Sequence, residues 1–420
     1  MGDIDDVTYK ERILGVYWYL FSVSGVLSII SYIFIGLMIF IYFCHIVSIL
    51  YAKKFLYAFD PYVFLQLHPK DSLPSVSIIK PLKGSDVNLY SNLESYFKLN
   101  YPKFEIIFCI QSASDPAHEI VDRLIRDYPS IKTQKIKGFE PKNFENPKVT
   151  NLVPGISAAE YDLVWMADAN ICVEPNTLLE MTSHIMEGGG LVHQLPLSKS
   201  LNHTLAECLE VVYFYTSHAR VYLMSSFFGF NSTNGMSMLF PKDVLNEITQ
   251  GLKKYFFSSM EDNRIGKDFV NSKRTLKLSR IPLYQNFGSR TIDAFRQRMV
   301  RWTRIRMYFM PWLTFEPCIE CFPTGVLCSF ALYYLYGVNP FVTFPTHVLL
   351  WFISDATLSY VLLNKPLTFD GLLLIYSLAW LIRETLVIPN FIQAICSKKI
   401  YWSGHDRTLK CCTDEYVTNT

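Results

Sequence analysis

The sequence predicts an α/β domain held between membrane helices on its N-terminal and C-terminal sides. Three observations carry that expectation. Residues 13 to 52 contain no Asp, Glu, Lys or Arg. Residues 75 to 310 alternate short apolar runs with helical patterns, as in a parallel sheet covered by helices. From Tyr308 onward the chain turns apolar again, interrupted by few charges. A chain of 420 residues that is 50% hydrophobic and 15% aromatic has material for one ordinary domain plus membrane-embedded segments.

A hydrocarbon core of about 30 Å is crossed by about 20 helical residues, so the first apolar run is nearly twice the length a crossing needs. The span is placed near Ser31 to Leu50, and residues 1–54 are read as an N-terminal extension followed by an anchor. The run is too long for the apolar part of a signal peptide and lacks a small-residue cleavage site. Lys53, Lys54 and Lys70 follow it, whereas Lys10 and Arg12 before it are balanced by Asp3, Asp5, Asp6 and Glu11. Basic residues favour the cytosolic side, so the domain is expected in the cytosol. There the acceptor patterns Asn202-His-Thr204 and Asn231-Ser-Thr233 should stay unglycosylated. A net charge of +2 argues against a large nucleic-acid footprint. The ten cysteines are scattered, which suits reduced surroundings. Cys318 and Cys321 form a lone CxxC, and the adjacent pair Cys411 and Cys412 is too remote to complete a zinc site.

Within the domain, assigned to residues 75–310, "SVSIIKPLKG" and "FEIIFCIQSASD" read as strands, and "PAHEIVDRLIRDYP" as a helix with Ile120, Val121, Leu124 and Ile125 on one face. "YDLVWMADAN" is a third strand, with acidic and amide residues at its carboxyl end. Ligands of open α/β sheets gather outside those ends, so Asp115 and Asp168 are directed to one edge. A C-terminal membrane region covers 311–396, with spans near 321–337 and 341–363. The stretch 371–396 carries Arg383 and Glu384 and is open between a span and an interfacial helix. The basic tail, 397–420, is expected in the cytosol, which requires an even number of crossings after the domain.

Asp168 and Asn170 form an Asp-x-Asn at a strand end, a pattern that serves a hard divalent cation with diphosphate or, equally, a polar turn. Glu261 and Asp262 open a helical stretch, where a carboxylate either accepts a proton from an attacking hydroxyl or favours the helix dipole. In "FRQRMVRWTR", helical geometry at about 100° per residue puts Arg298, Arg301, Trp302, Ile305 and Phe309 within one arc about 100° wide. Two arginines on an apolar face suit an anion better than a solvated charge belt.

In this order, Asp115, Asp168, Asp262 and Arg298-Met-Val-Arg301-Trp302 resemble the motifs of the inverting GT-A membrane glycosyltransferases, a Rossmann-like mixed-sheet fold. The longer runs "SIIKPLKGSDVNLYSNLESYF", "YPKFEIIFCIQSASDPA", "NPKVTNLVPGISAAEYDLVWMAD", "LVHQLP" and "RMVRWTRIRM…EPCIECF" are similar to the ceramide glucosyltransferase family. That resemblance implies glucose transfer from UDP-glucose to the primary hydroxyl of ceramide, at the cytosolic face of Golgi-type membranes. By the motifs, Asp115 holds the nucleotide and Asp168 a metal–diphosphate, with Mg2+ or Mn2+ as the cation. Asp262 is the general base, Arg298, Arg301 and Trp302 bind the diphosphate and line the acceptor entrance, and His193 is a donor-sugar or acceptor contact. Arg298 stands where polymer-making relatives carry Gln, which favours a single transfer. Asn170 stands where a fuller metal motif carries Asp. The alternatives are a related transferase acting on another lipid or a polysaccharide, and a transporter, for which Asp355 and the Arg383-Glu384 pair are the only midplane polar groups.

Overall fold

The structure is a computed structural model that describes residues 22–142, 145–199, 204–230, 232–249, 252–288, 291–363, 372–402 and 405–408. The N-terminal extension to residue 21, Asn202, Asn231, Cys411 and Cys412 lie outside these residues.

In chain order the domain's strands are β1 (Val76–Leu82), β2 (Phe104–Ile110), β3 (Lys132–Lys137), β4 (Leu163–Ala167), β5 (Ile171–Cys172), β6 (Leu191–His193), β7 (Pro196–Ser198), β8 (Ser237–Pro241), β9 (Leu276–Leu278) and β10 (Leu283–Gln285). The helices are α1 (Val23–Phe55), α2 (Pro61–Leu67), α3 (Leu89–Phe97), α4 (Ala117–Asp127), α5 (Pro147–Ala158), α6 (Thr177–Met186), α7 (Leu205–Tyr215), α8 (Ser217–Phe228), α9 (Lys242–Thr249), α10 (Glu261–Asn271), α11 (Ile292–Phe309), α12 (Cys321–Tyr336), α13 (Pro340–Leu363) and α14 (Leu372–Ile395).

A seven-stranded mixed sheet runs β3-β2-β1-β4-β8-β6-β9. The β1 to β4 block is parallel, β8 is antiparallel to both β4 and β6, and β9 runs parallel to β6. Every residue of β2 is buried, as expected for a strand covered on both faces, while β3 alternates and forms an edge. Side chains alternate across the sheet. Ile78 and Trp165 therefore join a core with Leu93, Val121 and Leu178 from α3, α4 and α6. Ile79 and Val164 face the opposite core with Val149 and Ile156 of α5, Leu245 of α9 and Phe269 of α10. A small sheet, β5-β10-β7, extends the domain toward the membrane helices.

Three described helices are long and apolar enough to cross a membrane: Val23–Phe55, Pro340–Leu363 and Leu373–Ile395. Cys321–Tyr336 is apolar but shorter. Helix α1 has 33 residues, or roughly 50 Å at 1.5 Å per residue, which exceeds the hydrocarbon core. The excess is used at its C-terminal end, where the Tyr51 hydroxyl meets Ser226 Oγ of α8 at 2.9 Å and Tyr51 packs on Phe227. Helix α12 runs antiparallel along α1, with Cys328 Sγ bonded to the Phe34 carbonyl at 3.3 Å and the Tyr334 hydroxyl to the Ser24 carbonyl at 3.0 Å. Helix α13 returns to the domain side: His347 and Trp351 contact Tyr42 and His45, and the Leu362 carbonyl accepts from Tyr57 at 2.9 Å.

Helix α14 stays near the domain at both ends. Its start reaches the end of α13 through Tyr376 and Ser359 at 2.7 Å, and its last turns receive Arg296 and Arg304 of α11 on Asn390, Gln393 and the Ala394 carbonyl. The basic tail begins as a hairpin, Lys399–Trp402 with His405–Thr408, whose Ile400 packs against Ile305 of α11.

Candidate active site

The strand ends bring Asp115 and Asp168 to one edge of the sheet, as the alternation of strands and polar loops leads one to expect. Gly84 follows β1 with φ 72°, the left-handed region that glycine enters without a Cβ penalty. Its amide points at Asp115, donating to Oδ1 at 3.0 Å and Oδ2 at 2.9 Å, and the first turn of α4 adds the Ala117 amide at 2.9 Å. Asp115 thus ties the loop after β1 to the start of α4 while remaining half-buried.

Asp168 lies just past β4. Its amide donates to the Met236 carbonyl at 2.9 Å, and its own carbonyl accepts from Lys80 Nζ at 2.5 Å. Lys80 is fully buried over the Tyr96 ring at 3.8 Å, and burial pulls its pKa down to about 7 against the opposing pull of Asp168. The Asp168 carboxylate meets Lys148 Nζ of α5 at 2.8 Å. That same ammonium donates to the Gly235 carbonyl at 2.6 Å and approaches Glu261 at 3.6 Å. Burial works against the Lys148 charge, but Asp168 and Glu261 outweigh it and hold the group above the ordinary lysine range.

Asp262 sits in the first turn of α10, which begins at Glu261. Its Oδ2 accepts from the Gly235 amide at 2.9 Å and its Oδ1 from the Asn263 amide at 2.8 Å. Burial raises the pKa of Asp262 and of its neighbour Glu261, with Lys148 and the backbone donors opposing. A side chain at position 235 would crowd the site, since a Cβ there would come within 3.1 Å of Asp262 Cβ and 3.2 Å of Lys148 Nζ.

The arginine motif lies on α11, whose start is capped by the Thr291 hydroxyl accepting from the Ala294 amide at 3.1 Å. The structure divides the two arginines that share its apolar face. Arg298 is buried and turned inward, paired with Glu210 at 3.0 Å and Gln285 at 2.5 Å, with its guanidinium 4.5 Å from the Trp302 ring centroid. Arg301 is half-buried and makes no hydrogen bond or ion pair among the described residues. Burial, and then Arg298, lower its pKa to about 10, so it stays charged at neutral pH and carries an unneutralised guanidinium.

A chain of rings connects this motif to the carboxylates. Trp302 stacks on His218 of α8 at 6.0 Å, His218 packs on Tyr222 at 4.9 Å, and Tyr222 lies 5.9 Å from His193. Tyr222 also feels the charge of Asp262. His193 is buried, its Nδ1 has no partner among the described residues, and burial lowers its pKa to about 4. Beside it, Gln194 is locked by Ser237 at 2.7 Å and by Asn234 at 2.5 Å.

Among the described residues no three Asp, Glu, His or Cys side chains converge to hold a metal. Among the described residues Asp168 nevertheless keeps one carboxylate oxygen without a partner, its other oxygen being taken by Lys148. That suits a hard cation bound by one carboxylate and completed by diphosphate oxygens and water.

Lys148, Tyr222 and His218 complete this constellation, and periodicity did not single them out. Lys148 lies inside "NPKVTNL", where the signal was similarity alone, and the other two lie in an aromatic helix that reads as core.

A family model described as Glycosyl transferase family 21 matches residues 40–413. The chain belongs to glycosyl transferase family 21. Ceramide glucosyltransferase 1 of Caenorhabditis elegans is 35% identical over 369 residues, covering 86% of this chain and 78% of that protein. Ceramide glucosyltransferase 3 of the same organism is 32% identical over 391 residues, covering 91% and 81%. The ceramide glucosyltransferase of Komagataella phaffii is 28% identical, covering 78% and 81%. A mannosyltransferase of Pyrobaculum calidifontis, solved with GDP-Man and Mn2+, superimposes with a TM-score of 0.48 at 15% identity, covering 87% of this chain and 98% of that one. The family 21 protein is therefore an enzyme that transfers a sugar, and its α/β domain carries candidate membrane helices on both sides.

Proposed function

We propose that this chain transfers glucose from UDP-glucose to the primary hydroxyl of ceramide with inversion, releasing UDP and glucosylceramide. The relatives' names supply the acceptor class, and one observation carries the mechanism. Asp262, with its pKa raised by burial, shares the Gly235 peptide with Lys148, which holds Asp168. This link from Asp262 through Gly235 and Lys148 to Asp168 supports assigning base and donor-side carboxylate to one site.

In the reaction Asp262 accepts the proton of the acceptor hydroxyl as its oxygen attacks the anomeric carbon from the face opposite the diphosphate. The bond from that carbon to the diphosphate oxygen breaks, and its electron pair leaves with UDP. A carboxylate whose pKa lies nearer working pH is the better general base. Arg301, charged and without a partner among the described residues, would meet the negative charge that grows on the leaving group. A divalent ion such as Mg2+ or Mn2+, held by Asp168 and diphosphate oxygens, would add to that neutralisation. Arg298, already paired with Glu210, orients Trp302 and does not meet phosphate directly. Asp115 holds the nucleotide.

The setting is a membrane surface. Helices α12 and α13 form a hairpin beside α1 that leaves and returns, so domain and tail share one side, and α14 lies at the interface. The charge bias around α1 makes that side the cytosol, and a Golgi-type membrane is the proposed location.

Product analysis with labelled UDP-glucose and ceramide tests the reading. The wild-type chain yields one labelled glycolipid, and Asp262→Asn lowers its formation about 10²- to 10⁴-fold while UDP still binds. Transfer to another lipid or a growing polysaccharide in place of ceramide would overturn the acceptor, and retained turnover in the variant would remove Asp262 as base.

A further inference from the structure

His218 is an imidazole surrounded by rings, and among the described residues neither of its nitrogens makes a hydrogen bond. The chain breaks at Thr216, whose hydroxyl returns to the Val212 carbonyl at 2.6 Å, and this corner places His218 in the first turn of α8. There it stacks on Trp302 at an interplanar angle of 26° and is edged by Phe214 at 4.7 Å and Tyr213 at 5.3 Å. Its Nδ1 is fully buried without a partner. Burial first, then Arg306 and Arg298, hold the ring neutral at working pH. A neutral imidazole offers one donor and one acceptor, and native proteins rarely leave such atoms buried and unused.

The next turn of the same helix carries Tyr222, within reach of the Asp262 charge and likewise making no hydrogen bond among the described residues. The other side of α8 is apolar and open: Val221 is 56% exposed and Phe227 49%, beside the anchor helix that Tyr51 ties to Ser226. One face of α8 therefore looks into the site and the other toward the lipid, so an acceptor arriving from the bilayer passes this helix.

On the reading that the acceptor is ceramide, we infer that His218 determines acceptor specificity by hydrogen-bonding the amide or secondary hydroxyl that flanks the reacting primary hydroxyl. Those groups lose water partners as the lipid leaves the interface, and an unmatched polar group then opposes binding. The neutral ring replaces the lost partner without adding a charge near Asp262. Tyr222 orients the same end of the lipid.

The test compares the full-length chain with His218→Phe, which keeps the ring stack and removes both nitrogens, and with His218→Gln, which keeps a donor and an acceptor. Acceptors are ceramide, 3-O-methyl ceramide and N-methyl ceramide. His218→Phe should raise the KM for ceramide about tenfold, the scale of one lost hydrogen bond, with kcat and the KM for UDP-glucose within about threefold of wild type. Wild type should discriminate against one of the two methylated lipids, and the Phe variant should lose that discrimination while the Gln variant partly regains it. The methylated lipid that ceases to be disfavoured identifies the bonded group. An unchanged ceramide KM, persistent discrimination, or a rise in the KM for UDP-glucose instead would each overturn the inference. UDP binding verifies that each variant is folded, and were Phe to fail that check, Gln and Asn at the same position give the same comparison. Absence of glucosylceramide from the wild type would instead sink the proposed function, so the two failures are separable.

Discussion

At Asp262 burial and hydrogen bonding oppose each other, and burial is the larger influence. The carboxylate is therefore protonated at a higher pH than an exposed aspartate, and transfer should weaken on acidification before the sheet unfolds. His193 gives a separate readout. Its folded-state pKa of about 4 lies below its ordinary 6.5, so its contribution is fully present above pH 6.5 and is lost as pH falls toward 4. Full loss is worth about 3 kcal/mol by linkage. Denaturation midpoints measured between pH 7 and pH 4.5 should fall faster for wild type than for His193→Phe, and parallel curves would assign the acid sensitivity to other groups. The positions of Asp115 and Asp168 at strand ends and of Asp262 at a helix start were legible in the sequence, because such ends have local signatures; their roles at the site rest on the motif resemblance. The different surroundings of Arg298 and Arg301 were not legible, since Arg298 finds its partners Glu210 and Gln285 on other elements while Arg301 has none among the described residues.

The helices that position the site are fixed by close packing. Helix α5 approaches β1 and β2 through Gly155, where an added Cβ would stand 2.3 Å from Cys109 Sγ and 3.0 Å from Ile79. Gly155→Ala should cost about 1–3 kcal/mol through overpacking, read as a lower thermal midpoint in detergent, and should also weaken transfer because α5 carries Lys148. An unchanged midpoint would mean that α5 can shift freely. Periodicity located such elements well: the stretch "FRQRMVRWTR", read as helical, lies within Ile292–Phe309, and Glu261 and Asp262 do open a helix. It did not find β8, β6 and β9, which are short and whose pairing is antiparallel to β4 or remote in sequence. The helix that contains the span expected near Ser31 to Leu50 runs further, from Val23 to Phe55, and its C-terminal turns pack on α8.

At the scale of the molecule, an ion pair joins the catalytic domain to the membrane helices. Arg220 of α8 pairs with the buried Asp355 of α13, whose other oxygen accepts from Trp380 Nε1 of α14 at 2.9 Å. Removing one partner leaves a buried charge, so Asp355→Ala should destabilise by about 3–5 kcal/mol. The double replacement Arg220→Met with Asp355→Leu should recover most of that loss. Unfolding of the single and double variants in one detergent measures the coupling, and additive losses would show that the pair does not join the two parts. Arg383 makes a second tie, to Ser217 of α8 at 2.7 Å and to Glu320 at 2.8 Å. The charged residues that interrupt the C-terminal apolar region thus serve as docking points, which accounts for them without a transport path.

Hydropathy and local pattern sufficed to specify an α/β domain between apolar helices, because apolar spans, strand ends and helix starts are encoded by neighbours in the chain. Only the tertiary structure decided that the last turns of α14 receive Arg296 and Arg304 of α11, that Lys148 pairs with Asp168 and bonds the Gly235 carbonyl while Asp262 takes the Gly235 amide, and that His218 stacks on Trp302. Those facts depend on contacts between residues tens to hundreds of positions apart, and hydrophobic periodicity carries no information about which distant surfaces meet.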